Sequence, residues 1–189
     1  LPATLLGWHY RSRFETLIGF SNAAFYHGRL LTVPDAARMR EGAPEILAAS
    51  AEDGDRGVAE LLGRSMSFHL LTGGLYRNRR NEAEAAYVAR LVRGILKGGS
   101  KKTIGIVAFS EAQQGEIESA LDALARQDAE FADRVEKEYE REEEGQFLGL
   151  LVKNLENIQG DERDVVILSV CYGPGPDGKM LMNFGPINQ

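Results

Sequence analysis

Reactive and metal-binding side chains are scarce in this chain of 189 residues. Its single cysteine, Cys171, lies in an apolar stretch, so the chain can form neither an internal disulfide nor a cysteine-based zinc site. One unpaired cysteine favours a reducing, cytoplasmic setting. The three histidines, at positions 9, 27 and 69, are not at metal-ligand spacing. We therefore expect no metal site held by this chain alone.

Long hydrophobic runs are also missing. No apolar run approaches the roughly 20 residues that cross a bilayer, and no basic-then-apolar signal segment opens the chain. We expect a cytoplasmic protein with no membrane partner. The chain begins Leu1-Pro2 without a methionine and stops at Gln189 without a tail, which is typical of a fragment or of a processed terminus.

A complete catalytic site is not visible in the sequence. There is no phosphate loop of the full pattern G-x-x-x-x-G-K-[ST], so nothing here is expected to cradle a triphosphate alone. There is also no Ser-His-Asp arrangement with a recognisable nucleophile elbow. These absences are those expected of half a site that another domain completes.

Negative charge is in excess, but it comes from one segment. The chain has 28 acidic and 22 basic residues, a net charge of −6. Residues 128–144 contain nine acidic and three basic side chains, so the remainder is neutral. The overall charge therefore does not exclude nucleic acid as a partner. Opposite charges four residues apart indicate an exposed helical extension, with a docking or autoinhibitory surface as the alternative.

Apolar periodicity predicts alternating strands and helices. This order indicates an α/β fold with a doubly wound parallel sheet. We expect a loop-rich insertion at residues 35–65 and an acidic helical segment at 122–146, which continues the helix before it. Helices are predicted at 13–26, from Asn81 to Gly98 and from Ser110 onward, and strands at Ser67–Thr72, Thr103–Phe109, Leu148–Val152 and Val165–Val170. Capping boxes are predicted for Ser12 with Glu15, Asn81 with Glu84 and Ser110 with Gln113.

The pair Tyr10-Arg11 lies just before the first predicted helix. An aromatic ring can stack on a base, and a guanidinium can neutralise charge that develops on a transferred phosphoryl group. The pair therefore suits a nucleotide. In the alternative, Tyr10 packs on the sheet and Arg11 pairs with a surface carboxylate.

A polar loop, Gln159-Gly160-Asp161-Glu162-Arg163, leads into the last predicted strand, an apolar run expected to be buried. Gly160 permits a close backbone approach, and the Glu162 carboxylate offers acceptors for a ribose hydroxyl. We expect the loop to lie at the carboxyl edge of the sheet, where α/β proteins bind ligands. The alternative is a solvated loop with weak ion pairs.

Two further places could bind phosphate. Ser110 lies where a buried strand leads into a helix N-terminus, whose free backbone N–H groups can bind an anion. A plain N-cap serine is the alternative there. The basic run Arg77-Asn78-Arg79-Arg80 could contact a nucleic-acid backbone, or it could be a solvated loop before a capped helix.

Residues Val152–Ser169 resemble motif V of superfamily-one helicases, in the branch that includes the RNA helicase of nonsense-mediated decay. His9-Tyr10-Arg11-Ser12 resembles the Tyr-Arg segment of the same family. Asn183-Phe184-Gly185-Pro186-Ile187-Asn188 resembles a phrase that precedes motif VI in large bacterial helicase-related proteins. The chain thus looks like the second, C-terminal RecA-like domain of such a helicase, of the AAA_12 type.

The resemblance implies roles in binding a nucleotide. Tyr10 would stack near the adenine, and Arg11 would act as an arginine finger on the γ-phosphate. Glu162 would contact the ATP sugar. The loop that contains Gln159 and Gly160 would contact the nucleotide and relay its state to the nucleic-acid groove.

The resemblance also implies partners. Ser110, Asn154 and Arg163 would contact single-stranded nucleic acid, although this chain has Ala108-Phe109-Ser110 where relatives often carry Thr-Pro-Tyr or Thr-Phe. ATP and Mg²⁺ would bind between this domain and an N-terminal RecA-like domain of the same parent chain. Motifs I, Ia, II, III and VI are missing, which implies an inactive fragment of an ATP-dependent DNA or RNA helicase or translocase.

Two other interpretations remain open. The first is a degenerate helicase domain that acts as a protein-interaction module through its acidic helix. The second is a flavodoxin-like or Rossmann-like domain that binds a small molecule.

Overall fold

The fold alternates helices with short strands. The structure is a computed structural model that describes residues 7–9, 12, 14–33 and 46–180. In chain order its elements are α1 Glu15–Tyr26, β1 Ile46–Ala49, α2 Gly54–Gly63, β2 Phe68–Leu71, α3 Glu82–Lys97, β3 Ile104–Ala108, α4 Glu111–Gln127, α5 Ala129–Tyr139, β4 Glu142–Glu143, β5 Gln146–Phe147, β6 Leu151–Asn154, a 3-10 turn at Leu155–Asn157, and β7 Val165–Ser169.

A parallel sheet of three strands organises the part of the chain that carries most candidate residues. β3 lies at its centre, between β6 and β7, and it is parallel to both. Ile106 is the register partner of Val152 on one side and of Ile167 on the other. Helices α4 and α5 connect β3 to β6, and residues 155–164 connect β6 to β7. The predicted α/β fold, consistent with a RecA-like domain, is confirmed.

The core forms where the helices cover the sheet. All five residues of β3 are buried, as predicted for a central parallel strand. Helix α3 packs along α4, and both helices contact the sheet. The apolar stripe of α3 is buried; it consists of Val88, Leu91, Val92 and Ile95. On α4, Ile117 and Leu121 are buried as well.

Strand β7 differs from the expected fully buried strand. Val165, Ile167 and Ser169 are buried, but the intervening Val166 and Leu168 are 51% and 59% exposed. Successive side chains of a strand point to opposite faces of the sheet, and the face of β7 that carries Val166 and Leu168 meets solvent. The apolar run alone could not show which face was covered.

The sequence analysis predicts that the acidic segment continues α4, and this prediction is wrong. Asp128 has extended backbone angles that end α4, and its carboxylate accepts a hydrogen bond from the Phe131 backbone N–H at 3.1 Å. Asp128 therefore begins a separate helix, α5. Phe131 and Val135 on α5 are buried against the rest of the fold, so the segment is docked rather than extended into solvent.

The ion pairs predicted along this segment are present. Glu130 contacts Arg134 at 3.0 Å, and Asp133 contacts Lys137 at 2.7 Å. Both pairs are largely solvent-exposed, so each contributes little to stability. Asp133 and Lys137 lie on the exposed face of α5. Glu130 also contacts Lys97 at 2.9 Å, and Arg134 donates to the Leu96 carbonyl at 2.7 Å, so this pair joins α5 to the end of α3.

The strand predicted at Leu148–Val152 begins later, at Leu151. The backbone N–H groups of Leu148 and Leu150 donate to the carbonyls of Arg141 and Glu138 instead of joining the parallel ladder. These bonds belong to the β4–β5 hairpin and to the end of α5. Local hydrogen bonds therefore delay the start of β6.

Helix α1 ends as predicted but begins differently. His27 terminates it with a φ of 53° in the left-handed region. The predicted capping box of Ser12 with Glu15 is wrong, because Phe14 occupies the N-cap and makes no side-chain cap bond. The Ser12 backbone N–H donates instead to His9 Nε2 at 3.0 Å.

The chain divides into two compact units. The first contains residues 1–47 and 59–70, and the second contains residues 48–58 and 71–189. β1 and α2 lie within the predicted insertion at 35–65, whose residues 35–45 are outside the described part. None of the helices described is long and apolar enough to cross a membrane.

Candidate functional site

Polar side chains are buried together where β3 and β7 end. Gln113 is 0% exposed, and Ser169, the last residue of β7, is 1% exposed. Asn81, at the start of α3, is also buried. We call these three residues, with Glu84, the polar cluster. Because β3 and β7 are parallel, the cluster lies at the carboxyl edge of the sheet, the edge at which α/β proteins bind ligands.

Gln113 joins three elements through its amide group. Its Oε1 accepts from the Asn81 backbone N–H at 2.7 Å, and its Nε2 donates to the Asn81 carbonyl at 3.3 Å. The same Nε2 donates to Ser169 Oγ at 3.0 Å. Three hydrogen bonds therefore hold the starts of α3 and α4 to the end of β7.

The predicted cap at Asn81 is only half confirmed. Asn81 Oδ1 accepts from the Glu84 backbone N–H at 3.2 Å, as expected of an N-cap. The Glu84 carboxylate does not return to the Asn81 N–H, which Gln113 occupies. It accepts instead from Ser169 Oγ at 2.6 Å and from the Cys171 N–H at 2.9 Å. Tertiary contacts have replaced the reciprocal half of the capping box.

Burial changes the ionisation of this carboxylate. Loss of solvation raises the pKa of Glu84 above its usual value of 4.5, and the hydrogen bonds from Ser169 and Cys171 act in the opposite direction. The described residues form no ion pair with Glu84, so neutral donors alone stabilise its charge. A partly buried carboxylate of this kind holds backbone elements in place at a net electrostatic cost.

Cys171 is a structural residue. Its φ is 61°, in the left-handed region that a non-glycine residue rarely adopts, and its backbone N–H reaches Glu84. Burial, with a smaller effect from Glu84, raises the pKa of Cys171 to about 11. A raised pKa disfavours the thiolate, which is the nucleophilic form of cysteine.

A tight basic turn adjoins the polar cluster. The backbones of Arg77 and Arg80 exchange two hydrogen bonds, at 2.9 and 3.1 Å, around Asn78 and Arg79. Asn78 and Arg79 have φ values of 51° and 61°, as in a two-residue hairpin turn of the primed type. The Ser110 hydroxyl donates to the Arg79 carbonyl and so ties the turn to the start of α4.

Ser110 itself is buried, and its hydroxyl is used twice. It accepts from the Gln113 N–H at 3.1 Å, which confirms the predicted N-cap of α4, and it donates to Arg79. A contact between this hydroxyl and a nucleic-acid phosphate would require one of these bonds to open. The predicted strand contact of Ser110 stays a prediction.

The loop from β6 to β7 crosses from one edge of the sheet to the other. Asn154 ends β6 at the carboxyl edge, where its side chain accepts from the Asn157 N–H at 3.1 Å. Gln159, Gly160 and Glu162 follow, and all three are exposed. Lys153 holds Asp161 by an ion pair of 2.7 Å.

Arg163 lies at the amino edge, so the expectation that the whole loop lies at the carboxyl edge is wrong. Its guanidinium donates to the carbonyls of Gly149 at 3.1 Å and Phe147 at 3.3 Å, and it lies 5.5 Å from the Phe147 ring. The next residue, Asp164, accepts from the Thr103 N–H just before β3. A loop that precedes a parallel strand must end at the amino edge. Arg163 is thus separated from Ser110 and Asn154, and its predicted nucleic-acid contact is untested.

Three predicted features fall outside the described residues. They are the nucleotide pair Tyr10 and Arg11 and the C-terminal phrase at Asn183–Asn188. The predictions for these residues therefore stay as the sequence gives them.

The glycine-rich run after β7 forms a turn. Gly173–Lys179 has the spacing G-x-x-x-x-G-K, but Met180 stands where a phosphate loop carries a hydroxyl. Pro174 and Met180 form an isolated antiparallel bridge, and the Gly178 N–H donates to the Gly175 carbonyl. A phosphate loop opens a helix, whereas this run closes a small hairpin.

In the sequence, the residues of the polar cluster have the pattern of helix caps. Gln113 occupies the third position of α4, where a capping box predicts an exposed amide rather than a buried one. Ser169 is a polar residue that ends an apolar strand, which was the available signal for a buried partner. Neither spacing could reveal that Gln113 and Ser169, 56 positions apart, are in contact.

Comparison with known proteins identifies the family. A family model described as an AAA domain, AAA_12, matches residues 1–173. The chain belongs to this family. AAA_12 is a domain of superfamily-one helicases, so the family inferred from motif V is confirmed.

Two curated relatives of this AAA_12 chain share 30% identity with it. They are named as an uncharacterized ATP-dependent helicase, the MG140 homolog, of Mycoplasma pneumoniae and the uncharacterized ATP-dependent helicase MG140 of Mycoplasma genitalium. The alignments span 188 and 187 residues, 98% of this chain but 14% of each relative. No solved structure matches the chain.

Proposed function

We propose that this AAA_12 chain is the C-terminal RecA-like motor domain of an ATP-dependent helicase or translocase that acts on single-stranded DNA or RNA. The observation that carries the proposal is the match of 98% of the chain to proteins named ATP-dependent helicases, in a sequence without its own phosphate loop. A domain of this kind supplies half of a site, and its partner would be an N-terminal RecA-like domain of the same parent protein. The isolated chain is expected to be inactive.

The nucleotide half-site would be formed by exposed residues. Gly160 has a φ of 94°, and a Cβ at this position would meet open space, so a ligand can approach the backbone closely. The Glu162 carboxylate is exposed, and among the described residues it accepts no hydrogen bond. It therefore offers acceptors for a ribose, with Gln159 nearby in the sequence. Tyr10 would stack on the adenine and Arg11 would contact the γ-phosphate.

ATP would arrive with Mg²⁺, and the partner domain would supply the phosphate loop that holds both. This chain would contribute the guanidinium of Arg11 to the transferred phosphoryl group. The polar cluster would keep the carboxyl edge rigid while the two domains close and open around the nucleotide. Asn154 and the carboxyl-edge surface near Ser110 would face the strand.

The test is ATP turnover by the full-length natural protein, with and without single-stranded DNA or RNA, beside Arg11→Ala. We expect turnover that a strand stimulates and that the substitution lowers by roughly 1000-fold or more, as for other arginine fingers. Arg126→Ala is the matched control, because Arg126 is an exposed arginine at the far end of α4. Its turnover should equal that of the wild type.

Two results would contradict the proposal in different ways. Arg11→Ala with wild-type turnover would overturn the role of Arg11 alone. A folded full-length protein with no turnover on any strand would favour a degenerate domain that serves as an interaction module. The exposed charged residues of α5 would then be the candidate interaction surface.

A further inference from the structure

We propose that Tyr76, Arg77, Arg79 and Tyr172, which we call the aromatic–arginine patch, bind single-stranded nucleic acid. The tyrosines would stack on bases, and the arginines would contact backbone phosphates. The inference rests on the proposed function, because it assigns the strand-binding surface of that motor domain. The sequence analysis predicted strand contacts at Ser110, Asn154 and Arg163 and offered the basic run at 77–80 as a further backbone contact. The inference selects Arg77 and Arg79 from that run and adds the two tyrosines.

The patch lies at the carboxyl edge of the sheet. Tyr172 follows the end of β7 by three residues, and the basic turn is tied to Ser110 directly after β3. The Tyr76 backbone N–H donates to the Pro174 carbonyl at 3.0 Å, which joins the two segments of the patch. Four side chains that are distant in sequence are thus brought to one place.

The two tyrosines form a partly exposed aromatic surface. Their ring centroids are 5.2 Å apart and the rings are inclined by 51°. Both side chains are half-buried, so each ring is anchored on one side and reaches solvent on the other. Anchored rings of this kind are the stacking platforms on which single-strand-binding proteins hold successive bases.

The arginines at the patch differ from their neighbour Arg80. Arg80 is neutralised by Glu116 at 3.1 Å and approaches Glu82 at 3.9 Å. Arg77 and Arg79 are exposed, and among the described residues neither forms an ion pair. Burial raises the pKa of Tyr76, and the charge of Arg79 acts in the opposite direction as the smallest of the effects. Two cations are therefore available for an anionic partner.

The buried polar cluster holds this surface in shape. Arg79 adopts a left-handed backbone conformation that is unfavourable for an arginine. The Ser110 hydroxyl holds its carbonyl, and Gln113 holds the adjacent Asn81 through two hydrogen bonds. A surface fixed before binding loses less conformational entropy when the partner arrives. Ser110 and Gln113 are thus positioning residues for the patch.

Two partly exposed rings beside two exposed cations favour a single strand over other anionic partners. A duplex hides the faces of its bases, whereas a single strand offers both bases and phosphates. A free nucleotide would occupy one ring and one or two cations and would leave the rest of the patch unused. An acidic protein segment would use the arginines without needing the tyrosines.

The test is the affinity of the full-length natural protein for short labelled single strands, measured over a range of salt concentrations without ATP. The first variant is Arg77→Gln with Arg79→Asn, since asparagine tolerates the left-handed conformation. Loss of two phosphate contacts should reduce the slope of log affinity against log salt by about 1.4. The matched control is Lys101→Gln with Arg126→Gln, which removes two exposed cations at the amino edge and should keep the wild-type slope.

Tyr172 gives an independent measurement. Tyr172→Ala should weaken binding by about tenfold or more through loss of stacking, while Tyr172→Phe should bind like the wild type. The thermal transition of each variant, followed by circular dichroism, shows whether the fold is intact. Arg79→Lys keeps the charge and should retain the slope, which separates loss of charge from damage to the turn.

The possible failures can be told apart. A wild-type protein that binds no strand would overturn the proposed function and this inference together. Strand binding that persists unchanged in the arginine variant or in Tyr172→Ala would overturn the inference alone. Weaker binding of an ATP analogue with unchanged strand binding would assign the patch to the nucleotide and likewise overturn it.

Discussion

Gln113 shows how one side chain can fix the geometry of a site. Its amide satisfies both backbone groups of Asn81 and the hydroxyl of Ser169, all in the interior. Inside a protein an unpaired polar group costs about 1–3 kcal/mol, so such networks tolerate few substitutions. Neighbouring Glu84 completes the network with a carboxylate. The buried polar cluster thereby fixes the positions of the exposed residues around it.

Glu84 should make stability depend on pH. Burial raises its pKa in the folded protein above the usual 4.5, so the folded state binds this proton more tightly than the unfolded state does. The free energy of unfolding therefore falls as the pH rises from 4.5 through the folded-state pKa. Glu84→Gln cannot ionise and should lack this fall. Urea unfolding at a series of pH values measures the difference.

Two comparisons sharpen the Glu84 experiment. Glu84→Ala should lose about 1–3 kcal/mol, because the Ser169 hydroxyl and the Cys171 N–H lose their acceptor. Glu82→Gln, an exposed carboxylate on the same helix, should follow the wild-type pH curve. Parallel pH curves for the wild type and Glu84→Gln would show that the folded-state pKa of Glu84 is not raised.

At the scale of elements, the break between α4 and α5 matters most. Asp128 ends one helix and caps the next, and Lys97 at the end of α3 contacts it at 3.1 Å. The chain therefore turns back, and α5 packs on both α3 and α4. A single long helix would have carried the acidic segment away from the fold. The turn brings Phe131 into the interior instead.

Phe131→Ala should test whether α5 belongs to the core. Phe131 is 0% exposed, so its truncation should lower the free energy of unfolding by roughly 3–5 kcal/mol. Glu136→Ala on the exposed face of α5 should change it by less than about 0.5 kcal/mol. Both are measured by urea unfolding. Equal, small effects would show that α5 is the solvent-exposed extension that the charge pattern suggested.

At the scale of the whole molecule, charge is segregated rather than balanced. The acidic residues of 128–144 follow α4 and adjoin the amino edge, where the Leu150 N–H bonds the Glu138 carbonyl just before β6. The aromatic–arginine patch lies at the carboxyl edge. The five residues of β3 separate these edges by about 13 Å, which exceeds the Debye length of about 8 Å at physiological salt.

Neutralising part of the acidic segment should therefore affect strand binding only at low salt. Glu140→Gln with Glu142→Gln should change the strand affinity of the full-length protein by less than about twofold at physiological salt. The affinity should rise at about 0.01 M salt, where screening extends over roughly 30 Å. A large gain that persists at physiological salt would identify the segment as autoinhibitory.

Periodicity and end signals made much of the fold predictable. The apolar stripe of α3, the fully apolar β3 and the caps at Asn81 and Ser110 are local patterns, and the structure contains all of them. The break between the two helices at Asp128 was not predictable, because it depends on whether the next apolar side chain, Phe131, can pack in the core. The start of β6 was not predictable either, because the backbone N–H groups of Leu148 and Leu150 bond to carbonyls outside the parallel sheet.

The sequence alone determined the family, the α/β class and the nucleotide candidates Arg11 and Glu162, because these depend on residue types at short, fixed spacings. Only the tertiary structure decided which polar residues are buried and which edge of the sheet each one reaches. In it Arg163 lies at the amino edge and Ser110 is buried. Tyr76 and Tyr172, from opposite ends of the second unit, are in contact. Contacts between distant positions follow from strand order and packing, and no local spacing encodes them.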